Sequence, residues 1–134
     1  MGGRGLRRKR CKNERMQPPL AELHLTHLNL DGRDLDASSR FYGEFLGLPV
    51  LRRDGTLRVE HPSYLLVINA GEPKVGGTFH FGFRVAAAGD VDAWIERLRG
   101  HSVPILVEPK HAGNVYVARV GDPDGYQIEI YADL

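Results

Sequence analysis

The feature that most constrains this chain is that it says the same thing twice. The stretch "HLNLDGRDLDASSRFYGEFLGLPV" starts at His27, and "HFGFRVAAAGDVDAWIERLRGHSVPI" starts at His80. Each opens with a histidine in a short alternating strand and turns. Each then continues through an Asp-apolar-Asp-Ala signal, Asp34-Leu35-Asp36-Ala37 or Asp90-Val91-Asp92-Ala93. The apolar spacing Ala37, Phe41, Phe45, Leu48 predicts one amphipathic helix, and Val91, Trp94, Ile95, Leu98 predicts a second. The aspartates are natural helix N-caps, and Gly47 and Gly100 are the matching C-terminal stops. Strands are expected near 48–53, 55–60 and 64–69 after the first helix, and near 103–108, 114–120 and 126–131 after the second. The "GGT" of 76–78 reads as the link between halves, since no Lys-Ser/Thr follows to make it a phosphate loop. Two copies of about fifty residues are too few for a solenoid. The expected class is α+β: two βαβββ modules, about 21–72 and 77–134, forming one curved, mostly antiparallel wall around a cup with the helices outside.

Composition sets the outer bounds. A chain of 134 residues, 42% apolar and 26% charged, suits one soluble domain with a real core. No apolar run approaches the roughly 20 residues that cross a bilayer. Residues 1–15 carry seven basic side chains against the single Glu14, a net of +6, which leaves −5 for the rest of a chain whose total is +1. Residues 1–20 therefore read as a disordered basic tail, or as an early start with Met16 the true one. The tail has no aromatic for stacking on bases and no apolar core for a signal peptide, and the acidic body argues against nucleic acid as a partner. Cys11, the lone cysteine, has nothing to pair with and points to a reducing compartment, the cytoplasm.

Strand parity then selects a site. In "LHLTHLNL" (23–30) His27 shares a face with Asn29, Leu23 and Leu25, and His24 takes the opposite, helix-facing side. In "TFHFGFRV" (78–85) Phe79, Phe81, Phe83 and Val85 make the helix-facing side, leaving His80, Gly82 and Arg84 on the other. In "DPDGYQIEIY" (122–131) Ile128 and Ile130 face the helix, while Gln127, Glu129 and Tyr131 face away. His27 and His80 hold repeat-related places, and Glu129 shares their kind of face. Two imidazoles and one carboxylate make a facial set for a divalent metal ion, Fe, Mn, Ni or Zn, with positions left open for substrate. Of the other histidines, His61 and His101 fall in turns. His111, in the loop "PKHAGN", is the one placed to reach over a cavity mouth as an acid or base.

These motifs, in this order over residues 22–132, resemble the vicinal oxygen chelate superfamily, which includes glyoxalase I, extradiol dioxygenases, fosfomycin-resistance enzymes and bleomycin-binding proteins. The resemblance implies metal ligands on the first strand of each module and the last strand of the second, which are His27, His80 and Glu129. It also implies a symmetric dimer, in which modules pair within one chain or by exchange between chains. Glyoxalase I uses a fourth ligand on the last strand of module one, and the matching position is Val67. Extradiol dioxygenases resemble the chain in the triad, yet their signature tyrosine falls at Arg119, with Tyr116 three residues earlier. Fosfomycin-resistance enzymes have a threonine where Asn29 stands and a C-terminal arginine that is missing here, though Lys110 lies in the loop of their cationic contact. Bleomycin-binding proteins lack the triad. The expected function is a metal-dependent enzyme of dioxygenase-like, lyase or transferase chemistry on a small oxygen-rich substrate. His111 and Tyr116 are its candidate catalytic groups, and Asn29, Arg84, Lys110, Arg119, Gln127 and Tyr131 its substrate contacts. The alternative is a drug-sequestering resistance protein.

Overall fold

The computed structural model describes residues 19–134, so the basic tail with Cys11 and Met16 lies outside the described residues apart from its last two positions. Module one runs β1 (His27–Gly32), a helical segment, then β2 (Val50–Arg53), β3 (Thr56–His61) and β4 (Tyr64–Ala70). Module two runs β5 (His80–Arg84), helix α2 (Ala88–Gly100), β6 (Ile105–Ala112), β7 (Val115–Gly121) and β8 (Gln127–Asp133). Each module is one four-stranded mixed sheet, in the orders β1-β4-β3-β2 and β5-β8-β7-β6. The chain is α+β, and its sheets are curved and not closed. In each sheet only the first-to-last pairing is parallel, β1 with β4 and β5 with β8, because the helix carries the chain across the sheet between them. Two of the three pairings in each sheet are thus antiparallel, as the repeat predicted.

Local chemistry departs from expectation in three places. The first helix, α1 (Leu35–Ser39), widens into a π-type turn over Arg40–Phe45, in which Leu46 N–H reaches back to the Phe41 carbonyl at 3.0 Å. The wide turn rotates the buried face, so neighbours Phe41 and Tyr42 both enter the core with Leu35, Ser38 and Leu46, whereas Phe45 and Leu48 are only partly buried. Asp34 caps α1 as predicted, accepting from the N–H groups of Asp36 and Ala37. Asp90 does not cap α2: Ala87 holds that position, and the Asp90 carboxylate reaches back from the first turn to the Ala87 N–H at 3.0 Å. At the other end Gly47 takes the left-handed backbone expected of a stop (φ 71°), but α2 runs through Gly100 and the left-handed residue is Ser102 (φ 61°).

The predicted first strand also begins late. The ladder starts at Thr26, whose carbonyl accepts from Leu65 N–H at 2.8 Å. Leu23, His24 and Leu25 precede it and are exposed, so the helix-facing position expected for His24 does not exist in this chain. Phe79 likewise lies outside β5. It is 42% exposed and meets Tyr126 edge-on rather than packing under α2. Parity holds inside the strands. In β1 Leu28 and Leu30 turn inward and His27 and Asn29 outward, and in β8 Ile128, Ile130 and Ala132 are buried in alternation with Gln127, Glu129 and Tyr131. On α2 the positions Val91, Ile95 and Leu98 are fully buried, each contributing about 1.5–3 kcal/mol of transfer free energy.

The modules share one core, and a buried carboxylate joins them. The Tyr42 hydroxyl of module one donates to Asp122 Oδ2 at 2.7 Å, while Asp122 Oδ1 accepts from the N–H groups of Asp124 and Tyr126, both at 2.9 Å. The Arg33 N–H donates to Asp124 Oδ1 at 2.8 Å, and the Tyr126 hydroxyl donates to the Asp31 carbonyl at 2.7 Å. Burial pushes the Asp122 carboxyl above its ordinary range, opposed by the Tyr42 hydroxyl and the two N–H donors. Burial, then the Asp122 charge, raises the Tyr42 phenol and keeps it a donor. Replacing Asp122 by Ala strands three donors and is expected to cost about 2–3 kcal/mol in urea unfolding. Asp122→Asn keeps the two backbone acceptances and is expected to cost under about 1 kcal/mol at pH 7. Because the native carboxyl is raised, its contribution is fully present below the unfolded pKa and is lost as pH rises. The Asn variant should therefore gain on the parent from pH 4 upward.

Candidate metal centre

The outward face of module two gathers polar side chains by strand register alone. β8 lies between β5 and β7, with Gly82 opposite Glu129 on one side and Arg119 opposite Glu129 on the other. His80 stands one step along, opposite Gln127. Its Nδ1 is 2.8 Å from the Thr78 carbonyl, and its Nε2 is 3.4 Å from Glu129 Oε2. The carbonyl contact requires the proton on Nδ1, so the neutral ring points a lone pair from Nε2 at a carboxylate oxygen. That tautomer leaves Nε2, the nitrogen nearer the carboxylate, free to coordinate. The donor types and the tautomer both suit a divalent metal.

Gly82 makes room for this arrangement. A Cβ there would stand 3.1 Å from the Glu129 Cβ, 3.3 Å from its carbonyl and 3.5 Å from the Tyr131 ring. A side chain there would require Glu129 to give way by a few tenths of an ångström, so glycine is the residue that fits β5 against Glu129 and Tyr131 without a shift.

Arg119 is part of the same cluster. Its Nη2 donates to Glu129 Oε2 at 2.5 Å and its Nη1 to Gln127 Oε1 at 3.0 Å, while its Nε is buried without a partner. Glu129 is partly buried, its side chain 24% exposed, so the carboxylate carries a full counter-charge in the chain as it stands. This pairing was legible in the sequence. Residues equidistant from Asp124 face each other across the β7–β8 hairpin, and 119 and 129 are such a pair.

His27 lies on the outward face of β1, exposed beside Asn29 and in register with Leu65. The registers of the two modules superpose position by position: His27 on His80, Leu65 on Gln127, Val67 on Glu129, and Arg58 on Arg119. Val67, the counterpart of Glu129, is buried. Module one thus carries one of the three candidate ligands and module two carries two. Among the described residues of one chain, no three His, Cys, Asp or Glu side chains converge. His27 therefore does not join the His80–Glu129 pair within a single chain. Strands β1 and β5, with no ladder between them, flank a largely apolar groove of about 390 Å³ whose lining includes His27 and His80 beside Leu28, Leu66, Phe81 and Phe83.

The other candidates divide by face. Gln127, Tyr131 and Arg84 share the outward face with Glu129. Arg84 is turned toward Asp133, 3.3 Å away. Lys110 is exposed on β6 opposite Val117. Tyr116 is elsewhere: its hydroxyl donates to Asp92 of α2 at 2.8 Å, on the helix side of the sheet, which raises its phenol. The His111 ring lies against Tyr116, with ring centres 4.9 Å apart. Both proposed catalytic groups therefore sit across the sheet from Glu129, because 116 and 118 share the parity that buries Ala118.

The Haemophilus influenzae "Lactoylglutathione lyase" is 29% identical over 127 residues, covering 80% of this chain and 90% of that protein. The Vibrio parahaemolyticus "Probable lactoylglutathione lyase" is 27% identical over 123 residues, covering 79% and 88%. Among solved structures, a glyoxalase/bleomycin resistance protein/dioxygenase family enzyme from Burkholderia phytofirmans superposes with a TM-score of 0.73 at 20% identity, covering 81% of this chain and 98% of that one. A genomically encoded fosfomycin resistance protein from Listeria monocytogenes also reaches 0.73, at 18% identity and coverages of 85% and 96%. At such identities the structures speak for the fold alone. The family model described as Glyoxalase/Bleomycin resistance protein/Dioxygenase superfamily matches residues 24–130, and the chain belongs to that superfamily.

Proposed function

We propose that this protein is a metal-dependent enzyme acting on a small oxygen-rich substrate, with each site built from His27 of one chain and His80 and Glu129 of a second copy. The observation that carries the reading is the His80–Glu129 pair: an imidazole with Nδ1 engaged by the Thr78 carbonyl turns Nε2 toward a carboxylate oxygen. The same geometry supports a dimer. One chain does not bring three ligands together among its described residues, and β1 and β5 are both unpaired sheet edges that a two-fold partner can cover. A bound divalent ion would supply Lewis-acid polarisation of neighbouring substrate oxygens. The chain's own contribution is to hold His80 in one tautomer, to keep Glu129 on the outward face through the β8 register, and to offer Asn29, Gln127, Tyr131, Arg84 and Lys110 as polar contacts. The reading does not extend to the lyase activity in the relatives' names, because the fourth ligand position implied by glyoxalase I is Val67.

A second reading, capture of an aromatic or drug-like ligand without turnover, is favoured by the apolar groove between β1 and β5. Binding of such a ligand undiminished by EDTA, in a protein that purifies without metal, would select it.

Three measurements test the first reading. Light scattering at micromolar concentration should return a mass near twice the 14.9 kDa chain. In titrations with Mn²⁺ under anaerobic conditions, His27→Ala, His80→Ala and Glu129→Gln should each weaken binding by more than the about 10–100-fold that loss of an outer-shell partner costs. His24→Ala should bind as the parent does. Neither His27→Ala nor Glu129→Gln alone forms an intact site, but a mixed dimer of the two has one. Refolded mixtures should therefore regain about a quarter of the parental sites by random pairing. No recovery on mixing would mean that the site is built within one chain.

A further inference from the structure

The side chain that shares Glu129 with His80 is itself a cation. Arg119 Nη2 and His80 Nε2 address the same carboxylate oxygen, at 2.5 and 3.4 Å. A guanidinium on Oε2 neutralises the charge that would draw a metal ion to that oxygen, and two cations on one carboxylate oxygen repel. The other arginine at this register position is informative. Arg58 in β3 stands opposite Val67 as Arg119 stands opposite Glu129. Having no acid across the ladder, Arg58 turns along its own strand to Glu60, with Nε 2.8 Å from Oε2. Arg119 has no such outlet, since Val117 and Gly121 flank it on the same face of β7. Its remaining partner is Gln127, which already accepts from Nη1, and its buried Nε has none. The guanidinium is thus anchored at one corner by a neutral amide, pressed on the carboxylate at a second and unsatisfied at a third.

Resting on the triad reading above, we infer that Arg119 is a built-in counterion that competes with the divalent metal for Glu129. Metal entry moves the guanidinium off the carboxylate, with Gln127 retaining it beside the site. The metal site is consequently weaker than its donor set alone would make it, and it is stable while empty, because Glu129 is never left buried without a cation.

The test is the metal affinity of Arg119→Met, measured by calorimetric titration of the full chain with Mn²⁺ alone. Loss of the competitor should tighten binding by about tenfold or more, the scale on which a charge at this range moves a carboxylate's affinity for a cation. The metal-free variant should melt lower than the parent, and Mn²⁺ should raise its melting temperature by more than it raises the parent's. Arg119→Gln, neutral but still able to hydrogen-bond Gln127, should show the same gain and guards against a packing defect in the Met variant. The double variant Arg119→Met with Glu129→Gln should show no gain. If both Arg119 variants bind Mn²⁺ no better than the parent, or bind it worse, while Glu129→Gln still loses binding, the arginine positions the ligand and the inference is overturned with the triad intact. If Glu129→Gln binds as the parent does, the triad reading itself falls.

Discussion

A buried carboxylate organises this molecule. Asp122 directly follows β7, and its two oxygens serve three donors: the Tyr42 hydroxyl and the N–H groups of Asp124 and Tyr126. Burying that charge costs free energy, as its raised pKa records, and the three hydrogen bonds offset the cost. In return the turn Asp122-Pro123-Asp124-Gly125 has one geometry, with Gly125 in the left-handed region at φ 94°. The turn centres the β7–β8 hairpin on Asp124, and the hairpin register sets Arg119 against Glu129. Through Tyr42 and the Arg33–Asp124 contact the same turn fixes where module one sits on module two. Core, register and candidate site therefore trace to a single residue.

The two modules are one design read twice, and their differences at matched positions are what differentiates their chemistry. Val67 against Glu129 leaves module one without the candidate carboxylate. Leu65 against Gln127 removes the amide that anchors an arginine, and Asn29 against Gly82 puts a side chain where module two has none. Backbone pairing is unchanged by these exchanges, because strand hydrogen bonds use main-chain atoms only. A βαβββ unit can thus lose or gain a ligand without loss of fold, which is consistent with one superfamily spanning the names its members carry.

Much of this was legible before the fold was known. The histidine-led repeat implied two like modules, and alternation along β1, β5 and β8 separated His27, His80 and Glu129 from the buried Leu30, Ile128 and Ile130. The same reasoning failed for Tyr116 and His111. It treated them as members of a family signature and a loop rather than as strand residues, and their parity and register carry both rings to the α2 side. It also ran β1 back to residue 23, because Leu23 and Leu25 alternate as a strand would, although no neighbour pairs with them.

What the sequence determined by itself was what depends on neighbours along the chain: the module repeat, the Asp34 cap, the Gly47 stop and strand parity. What only the tertiary structure decided was which faces meet. The widened turn over Arg40–Phe45 shifted the buried face of the first helix. The shared core set the modules so that His27 and the His80–Glu129 pair do not converge in one chain, and the guanidinium of Arg119 came to rest on the Glu129 carboxylate rather than on open substrate space. These outcomes depend on contacts between segments far apart in sequence, where packing volume and charge neutralisation, not periodicity, select among arrangements that the local pattern leaves equally allowed.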